Sequence, residues 1–177
     1  MTSLQTLIDR QQLADVVAAY CRAVDRRDFA ALEHLYHPEA LHDHGGLFRG
    51  DRTAFIAWLR ESLKPDLTTF HFVGNALFSI NGDVAEGEIY TVNIHVFADG
   101  AEYIAAGRYL DRYVRAGGGR AGDGWLIKSR LRLIDWSHQG QGAPGSVAAQ
   151  IARGATDRTD ASWSELSLLG EKFGSGS

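Results

Sequence analysis

Apolar positions recur at helical spacing through roughly the first third of the chain and at strand spacing after it. Leu4, Leu7, Ile8, Val16, Val17, Tyr20 and Val24 follow one another at helix-like intervals, and Thr2 with Gln5 has the form of a capping box, which together predict one helix over about residues 4–25. Asp28 stands at an N-cap position ahead of FAALEHLY, and Pro38 is expected to end that second helix. Asp51 caps a third, whose apolar face is Phe55, Ile56 and Leu59 and which Pro65 closes. The intervening EALHDHGGLFRG has room only for short strands or a hairpin. From Thr68 onward β-branched and aromatic residues dominate, with turn signals at Asn81-Gly82-Asp83, at Ala98-Asp99-Gly100 and in GGGRAGDG at 117–124. Strands are expected at about 68–80, 84–97, 101–115 and 125–137. Long strands joined by short hairpins form an antiparallel meander that twists and curls. The expected fold is therefore α+β: three N-terminal helices packed on a strongly curved, mostly antiparallel sheet, a cone-shaped half-barrel.

Length and composition narrow the picture. The 177 residues suit one domain, about 1–140, plus a tail of 141–177. The tail's apolar residues, Val147, Ile151, Trp163, Leu166, Leu168 and Leu169, are too few for a core of their own and are expected to pack on the domain or on a neighbouring subunit. The terminal GEKFGSGS has no apolar periodicity and is left out of the fold. With 45% hydrophobic and 23% charged residues the chain is not disordered, and a net charge of −4 offers no field for a nucleic-acid backbone or an anionic membrane. The single cysteine, Cys21, fits a reducing compartment. No signal-peptide pattern opens the chain and no apolar run is long enough to span a bilayer, so a cytoplasmic protein is expected.

Several residues carry candidate chemistry, each beside a plainer reading. Asp25 falls at the end of the first helix, where the dipole disfavours a carboxylate, so either a turn-capping surface role or a specific partner holds it there. His71 lies in the strand TTFHFVGN and by period-two alternation shares a face with Val73 and Asn75; a lone strand histidine is more often structural than catalytic. Arg130 and Arg132 alternate with Leu131 and Leu133, placing both arginines in either solvent or a polar pocket. Tyr20 sits near Asp25 on the helix, a position that suits the core equally well. His42 and His44 share a strand face downstream of His37, but without a further ligand they make a weak metal set; no metal is expected, and His44 or Asp43 is a candidate for the cavity mouth. Glu86, Glu88 and Asp135 suit exposed strand faces. The glycines at 117–119 precede no helix, so they form no dinucleotide fingerprint, and no cofactor is expected.

Taken in order, Tyr20-x4-Asp25, His71-x3-Asn75 and Trp125…Arg130…Asp135-Trp136 resemble the SnoaL-like branch of the nuclear-transport-factor-2-like superfamily over about residues 2–140, nearest to its hexachlorocyclohexane dehydrochlorinases and bile-acid 7α-dehydratases. The resemblance implies a catalytic Asp25–His71 dyad, with Arg130 and Tyr20 as stabilising groups, in a cone-shaped cavity. It implies a cofactor-independent β-elimination, dehydratase-like, on a small cyclic or polycyclic hydrophobic substrate. Phe48, Trp58, Phe72, Asn75 and Trp136 are the expected substrate-binding residues, and a homo-oligomer, dimer or trimer, is the expected assembly. The same branch point implies an alternative without a dyad: a small-ligand-binding module, or a structural subunit like the β-subunit of ring-hydroxylating dioxygenases. Limonene-epoxide-hydrolase and ketosteroid-isomerase chemistry would need acidic sets that the Asp25–His71 pairing does not match.

Overall fold

Residues 3–117, 124–142, 152–166 and 168–169 are described by a computed structural model. Helix α1 spans Leu4–Asp25, α2 Phe29–Leu35 and α3 Arg52–Ser62. Short polar residues cap all three: Ser3 accepts from the Thr6 amide at 3.1 Å, Asp28 from Ala31 at 3.1 Å and Asp51 from Ala54 at 2.9 Å. The α1 cap is Ser3 and not the expected Thr2, which lies outside the described residues.

Six strands follow in one sheet: β1 Tyr36–Asp43, β2 Arg49–Asp51, β3 Thr68–Asn81, β4 Val84–Val96, β5 Ala101–Arg115 and β6 Trp125–Gln141, in spatial order β2-β1-β6-β5-β4-β3. The sheet is antiparallel except where β1 runs parallel to β6. Pro38 does not stop α2; the strand already begins at Tyr36, and Pro38 falls in the register break between Tyr36 and Leu41, where a missing amide costs no ladder bond. Strand β6 runs four residues past its expected end because Ala101–Ile104 at the start of β5 pair with His138–Gln141. The EALHDHGGLFRG segment supplies β1, β2 and the turn between them, as expected.

Irregularities between Val73 and Ala76 in β3, and at Asp135 and Lys128 in β6, opposite Ala106/Gly107 and Arg112/Tyr113 of β5, bend the meander. The sheet curls, without closing, around the three helices. Its inner face supplies Ile89, Tyr109, Tyr113 and Ile127, against which Leu13, Val17, Tyr20 and Val24 of α1, Leu32 of α2 and Phe55 and Leu59 of α3 are buried. A charge pair lies inside this apolar packing. Arg130 donates from Nε and Nη2 to both oxygens of Asp111, at 2.7 and 2.6 Å, with both side chains wholly buried. The Tyr20 and Tyr109 rings cover the two faces of the guanidinium at 4.1 Å each, and the Tyr113 hydroxyl donates to Asp111 at 2.5 Å.

The described part of the tail folds back on its own domain. Asp160 pairs with Arg26 at 3.2 Å just beyond α1, and Trp163 of the short α4, Ser162–Glu165, is covered by the Arg22 and Arg158 guanidinium groups at 4.3 and 3.7 Å. Val147 and Ile151 lie outside the described residues.

Breaking the buried pair from one side leaves a naked charge in the core, at a cost of about 3–5 kcal/mol. Asp111→Asn should therefore lower stability by about that amount in urea unfolding, whereas the double change Asp111→Leu with Arg130→Met should recover most of it. A double variant as unstable as the single would show that the pair itself, and not charge compensation, holds the fold.

Candidate active site

The site begins with how α1 ends. The Asp28 amide donates to the Ala23 carbonyl at 2.8 Å and the Arg27 amide to Val24 at 3.2 Å, the paired bonds of a Schellman cap. The residue in the left-handed position of that cap, usually glycine, is Arg27, with φ 54°. Its side chain compensates: the guanidinium donates to the Val24 carbonyl and the Thr69 hydroxyl, each at 2.9 Å, and to the Leu67 carbonyl at 2.5 Å, locking the helix end to the start of β3.

This leaves Asp25, in the last turn, facing β3. Its carboxylate accepts from the Thr69 hydroxyl at 2.9 Å, the His71 amide at 2.9 Å and the His71 ring Nδ1 at 2.7 Å. These donors offset the unfavourable helix-end dipole. A carboxylate only accepts, so it fixes the His71 proton on Nδ1 and leaves a lone pair on Nε2. The two side chains are 8% and 11% exposed, His71 and Asp25 respectively.

Alternation on the sheet brings further polar groups to the same face. Asn93 is the cross-strand partner of His71, and His95, partner of Thr69, has its ring 6.2 Å from that of His71 and 6.1 Å from Tyr103. Burial above all pulls His95 down to about 4. On β1 a second polar line runs inward: the Tyr36 hydroxyl meets His42 Nδ1 at 3.0 Å, and His42 Nε2 meets His44 Nδ1 at 3.0 Å. Burial holds His42 well below the usual imidazole range, and burial together with Arg132, His71, Arg130 and His95 brings His44 to about 3. Phe55 stacks on His42 at 3.5 Å, while Trp58 and Phe48 stack with each other beside His44.

The expected site residues thus fall into groups. Asp25 and His71 meet directly. Tyr20 and Arg130 meet each other in the core, where Arg130 is bound to Asp111; its Nη1 has no hydrogen-bond partner among the described residues. Burial alone would depress Arg130, but Asp111 holds it well above its ordinary value, and burial pushes Tyr20 up, so the one stays cationic and the other protonated. Phe48 and Trp58 gather at His44. Three expectations of placement do not hold. Phe72 pairs with Val92 and Trp136 with Ala106 on the outer face, both 57% exposed, because strand neighbours of an inward residue point outward and an irregularity in β6 around Asp135 reverses the phase before Trp136. Asn75 is lifted out of alternation with His71 by the bulge between Val73 and Ala76, and it is exposed.

Glu88 and Asp135 pair with Arg108 on the outer face, and Glu86 with Arg112. That face also carries a recess of about 720 Å³ lined by Leu41, Leu77, Glu88, Leu110 and Leu131, away from the Asp25–His71 pair. Among the described residues no three His, Cys, Asp or Glu side chains converge as a metal site; His37 contacts Lys128 at 3.2 Å instead. No helix among them is long and apolar enough to cross a membrane. Thr69, Arg27, His95 and Asp111 were not singled out from the sequence, although the alternation of Thr91, Asn93 and His95 in TVNIHV, and of Tyr109, Asp111 and Tyr113, carries the signal for two of them.

Residues 5–131 match the family described as the SnoaL-like domain. The chain belongs to that family. An uncharacterized protein of Mycobacterium tuberculosis (strain ATCC 25618 / H37Rv), Rv2910c, is 29% identical over 135 residues, 74% of this chain and 88% of that protein. Solved structures share the SnoaL-like fold at low identity. A type 2 hexachlorocyclohexane dehydrochlorinase, LinA, is 18% identical with a TM-score of 0.70 over 81% of this chain and 99% of its own. A putative scytalone dehydratase from Novosphingobium aromaticivorans DSM 12444 is 18% identical with a TM-score of 0.66 over 80% of this chain and 96% of its own.

The interior histidines give this SnoaL-like domain a definite acid response. His42, His44 and His95 stay neutral in the fold, while in the unfolded chain they take up protons below about pH 6.5. Stability is complete above that point and falls as pH drops toward about 4, by up to about 1.4 kcal/mol per pH unit for each histidine. The melting temperature should fall clearly between pH 7 and pH 5, and His95→Gln should shrink that difference; an equal slope in the variant would remove His95 from the cause.

Proposed function

We propose that this SnoaL-like protein is a cofactor-independent lyase that catalyses a dehydratase-like β-elimination on a small cyclic or polycyclic hydrophobic compound. The observation that carries the reading is the hydrogen bond between His71 Nδ1 and Asp25 Oδ1, 2.7 Å long and shielded from solvent, which leaves His71 Nε2 as a base. The fold neighbours named as dehydrochlorinases and a scytalone dehydratase support it at the level of the family.

In the step proposed, His71 Nε2 takes the proton from a carbon next to an activating carbonyl, and the C–H electron pair becomes the new C=C bond. The bond from the neighbouring carbon to its hydroxyl oxygen breaks, and hydroxide leaves with the proton returned from His71, as water. Asp25 stabilises the imidazolium while it exists. Tyr20 stays protonated, and Arg130, neutralised in part by Asp111, keeps the interior behind the substrate electropositive as negative charge develops on it. Phe48 and Trp58 supply apolar surface.

The test is a panel of cyclic hydroxyketones and steroid-like alcohols assayed by mass spectrometry for loss of water. On any compound turned over, His71→Ala should reduce kcat/KM by about 10²–10⁴, and Asp25→Asn nearly as much, because an amide neither fixes the tautomer nor stabilises imidazolium. A natively folded His71→Ala protein with undiminished turnover overturns the dyad. Binding of such compounds with no turnover by any variant returns the protein to the ligand-binding alternative.

The proposal includes a homo-oligomer, dimer or trimer, in the cytoplasm. Phe70, Phe72 and Trp136, each 57% exposed, lie with Val92, Ile94 and Ala106 on the outer sheet face, and the central charges there, Arg108 paired with both Glu88 and Asp135, leave a single net negative charge. An apolar sheet face without a cationic excess suits a second copy of itself better than a nucleic acid or an anionic lipid headgroup. Light scattering should show an oligomer that Phe72→Asp shifts toward the monomer; a wild-type monomer overturns the assembly and leaves the face for a different partner chain.

A further inference from the structure

The β1 histidines are an expensive feature that the elimination step above does not use. His42 is 1% exposed, stacked on Phe55 and hydrogen-bonded at both ring nitrogens. An apolar residue would fill the same space without desolvating two nitrogens, so the chain Tyr36–His42–His44 has some other purpose. Two of its members lie deep: Tyr36 is packed edge-on against Tyr20, and His42 stands in register with Arg130. The third, His44, comes out beside the Trp58 and Phe48 rings, on the inner side of the sheet that also bears His71 and His95.

The polarity of the chain follows from its neighbours. Among the described residues the buried Tyr36 hydroxyl has His42 Nδ1 as its hydrogen-bond partner, and a buried O–H donates to the acceptor it has, so its proton lies toward His42 Nδ1. An accepting Nδ1 puts the His42 proton on Nε2, which donates to His44 Nδ1. An accepting Nδ1 on His44 in turn puts its proton on Nε2, the atom not engaged in the chain. Neither imidazole takes a second proton, because Arg130 and Arg132 add to the cost of burial.

We infer that His44 Nε2–H is a fixed, neutral hydrogen-bond donor for the substrate oxygen on which negative charge develops, with His42 and Tyr36 as the positioning residues that set its tautomer. This rests on the elimination reading and names the donor arm of that same site, contributed from the end of β1, whereas Asp25 and His71 come from α1 and β3. No proton is transferred along the chain. A neutral imidazole matches an enolate-like oxygen without the cost of burying another cation beside Arg130 and Arg132. The substrate class follows: a ring compound with a carbonyl next to the carbon that loses its proton, oriented so that the carbonyl oxygen lies at His44 and the acidic carbon at His71.

The tautomer can be read without any substrate. Long-range ¹H–¹⁵N correlation spectra of the full chain at pH 7 should show His42 and His44 both neutral with the proton on Nε2. In His42→Phe, whose ring can keep the stack on Phe55, His44 should become a mixture of tautomers. A His44 that is charged, or carries its proton on Nδ1, or keeps one tautomer in His42→Phe, overturns the inference whatever the fate of the elimination reading. If a compound is turned over, His44→Phe should lower kcat by about 10²-fold, the usual loss for one oxyanion donor, and His44→Gln, which keeps an N–H, by much less. Equal losses in the two variants, or none in His44→Phe, overturn the donor role while leaving the His71 result standing.

Discussion

The interior of this protein is organised by one buried ion pair. Arg130 and Asp111 stand at facing positions of β6 and β5, wholly out of water, and the cost of desolvating them is met by two charge-assisted hydrogen bonds, a third from Tyr113 and a tyrosine ring on each face of the guanidinium. One of those rings, Tyr20, belongs to α1, so the charge that is neutralised within the sheet also fixes the helix that lies in the sheet's curl. Removing Asp111 would leave a cation against three buried tyrosines; removing Arg130 would leave an anion there. The pair is thus weak evidence for extra stability and strong evidence for a specified position of α1 relative to β5 and β6.

That position matters because the end of α1 that carries Asp25 is held by a separate lock. Arg27 adopts a backbone conformation that costs a non-glycine residue about 1–2 kcal/mol, and its guanidinium bonds to Leu67, Thr69 and the helix end compensate for it. Thr69 then serves two masters, accepting from Arg27 and donating to Asp25. With Tyr20 pinned at the Arg130 pair and the last turn pinned to β3, Asp25 has little freedom left, and the three hydrogen bonds it accepts fix the orientation of His71. Glycine at position 27 would be conformationally easier and would lose the side chain that ties helix to strand.

How much of this was legible in the sequence depends on the physical range of each signal. Helix spacing, the Asp28 and Asp51 caps and the strand–turn texture are local, and they fixed the element order and the α+β curled sheet. The end of α2 was misplaced because Pro38 reads as a helix stop, while the tertiary pairing of Tyr36 with Ile127 draws the chain into β1 two residues earlier. Asp25 stood out because a carboxylate at a helix C-terminus needs a reason, and the reason, an amide, a hydroxyl and an imidazole on β3, is a contact between residues 44–46 positions apart that no local pattern encodes. Phe72 is expected at the cavity as an aromatic residue, against the alternation that puts its neighbour His71 there; Asn75 and Trp136 show the further limit, since bulges shift the phase of a strand without a sequence mark as plain as a turn. The likeness to the SnoaL-like family supplied the pairing of Asp25 with His71, which periodicity alone had left open.

The histidines show how one residue type is sorted into different tasks by its partners. His42, His44 and His95 sit among Arg130, Arg132, Arg27 and one another, and both desolvation and those charges keep them neutral. The hydrogen bonds of His42 and His44 run to a hydroxyl or to another imidazole, groups that fix a tautomer but do not stabilise a second proton. His71 differs in having a carboxylate on Nδ1, held by two further donors so that it cannot turn away. Among these four, it is the one whose protonated form has a counter-charge waiting in place, and the sheet register that puts Asn93 and His95 beside it leaves that distinction to Asp25 alone. A site built this way presents one defined lone pair, on His71 Nε2, and the neutral imidazoles around it remain available as dipoles.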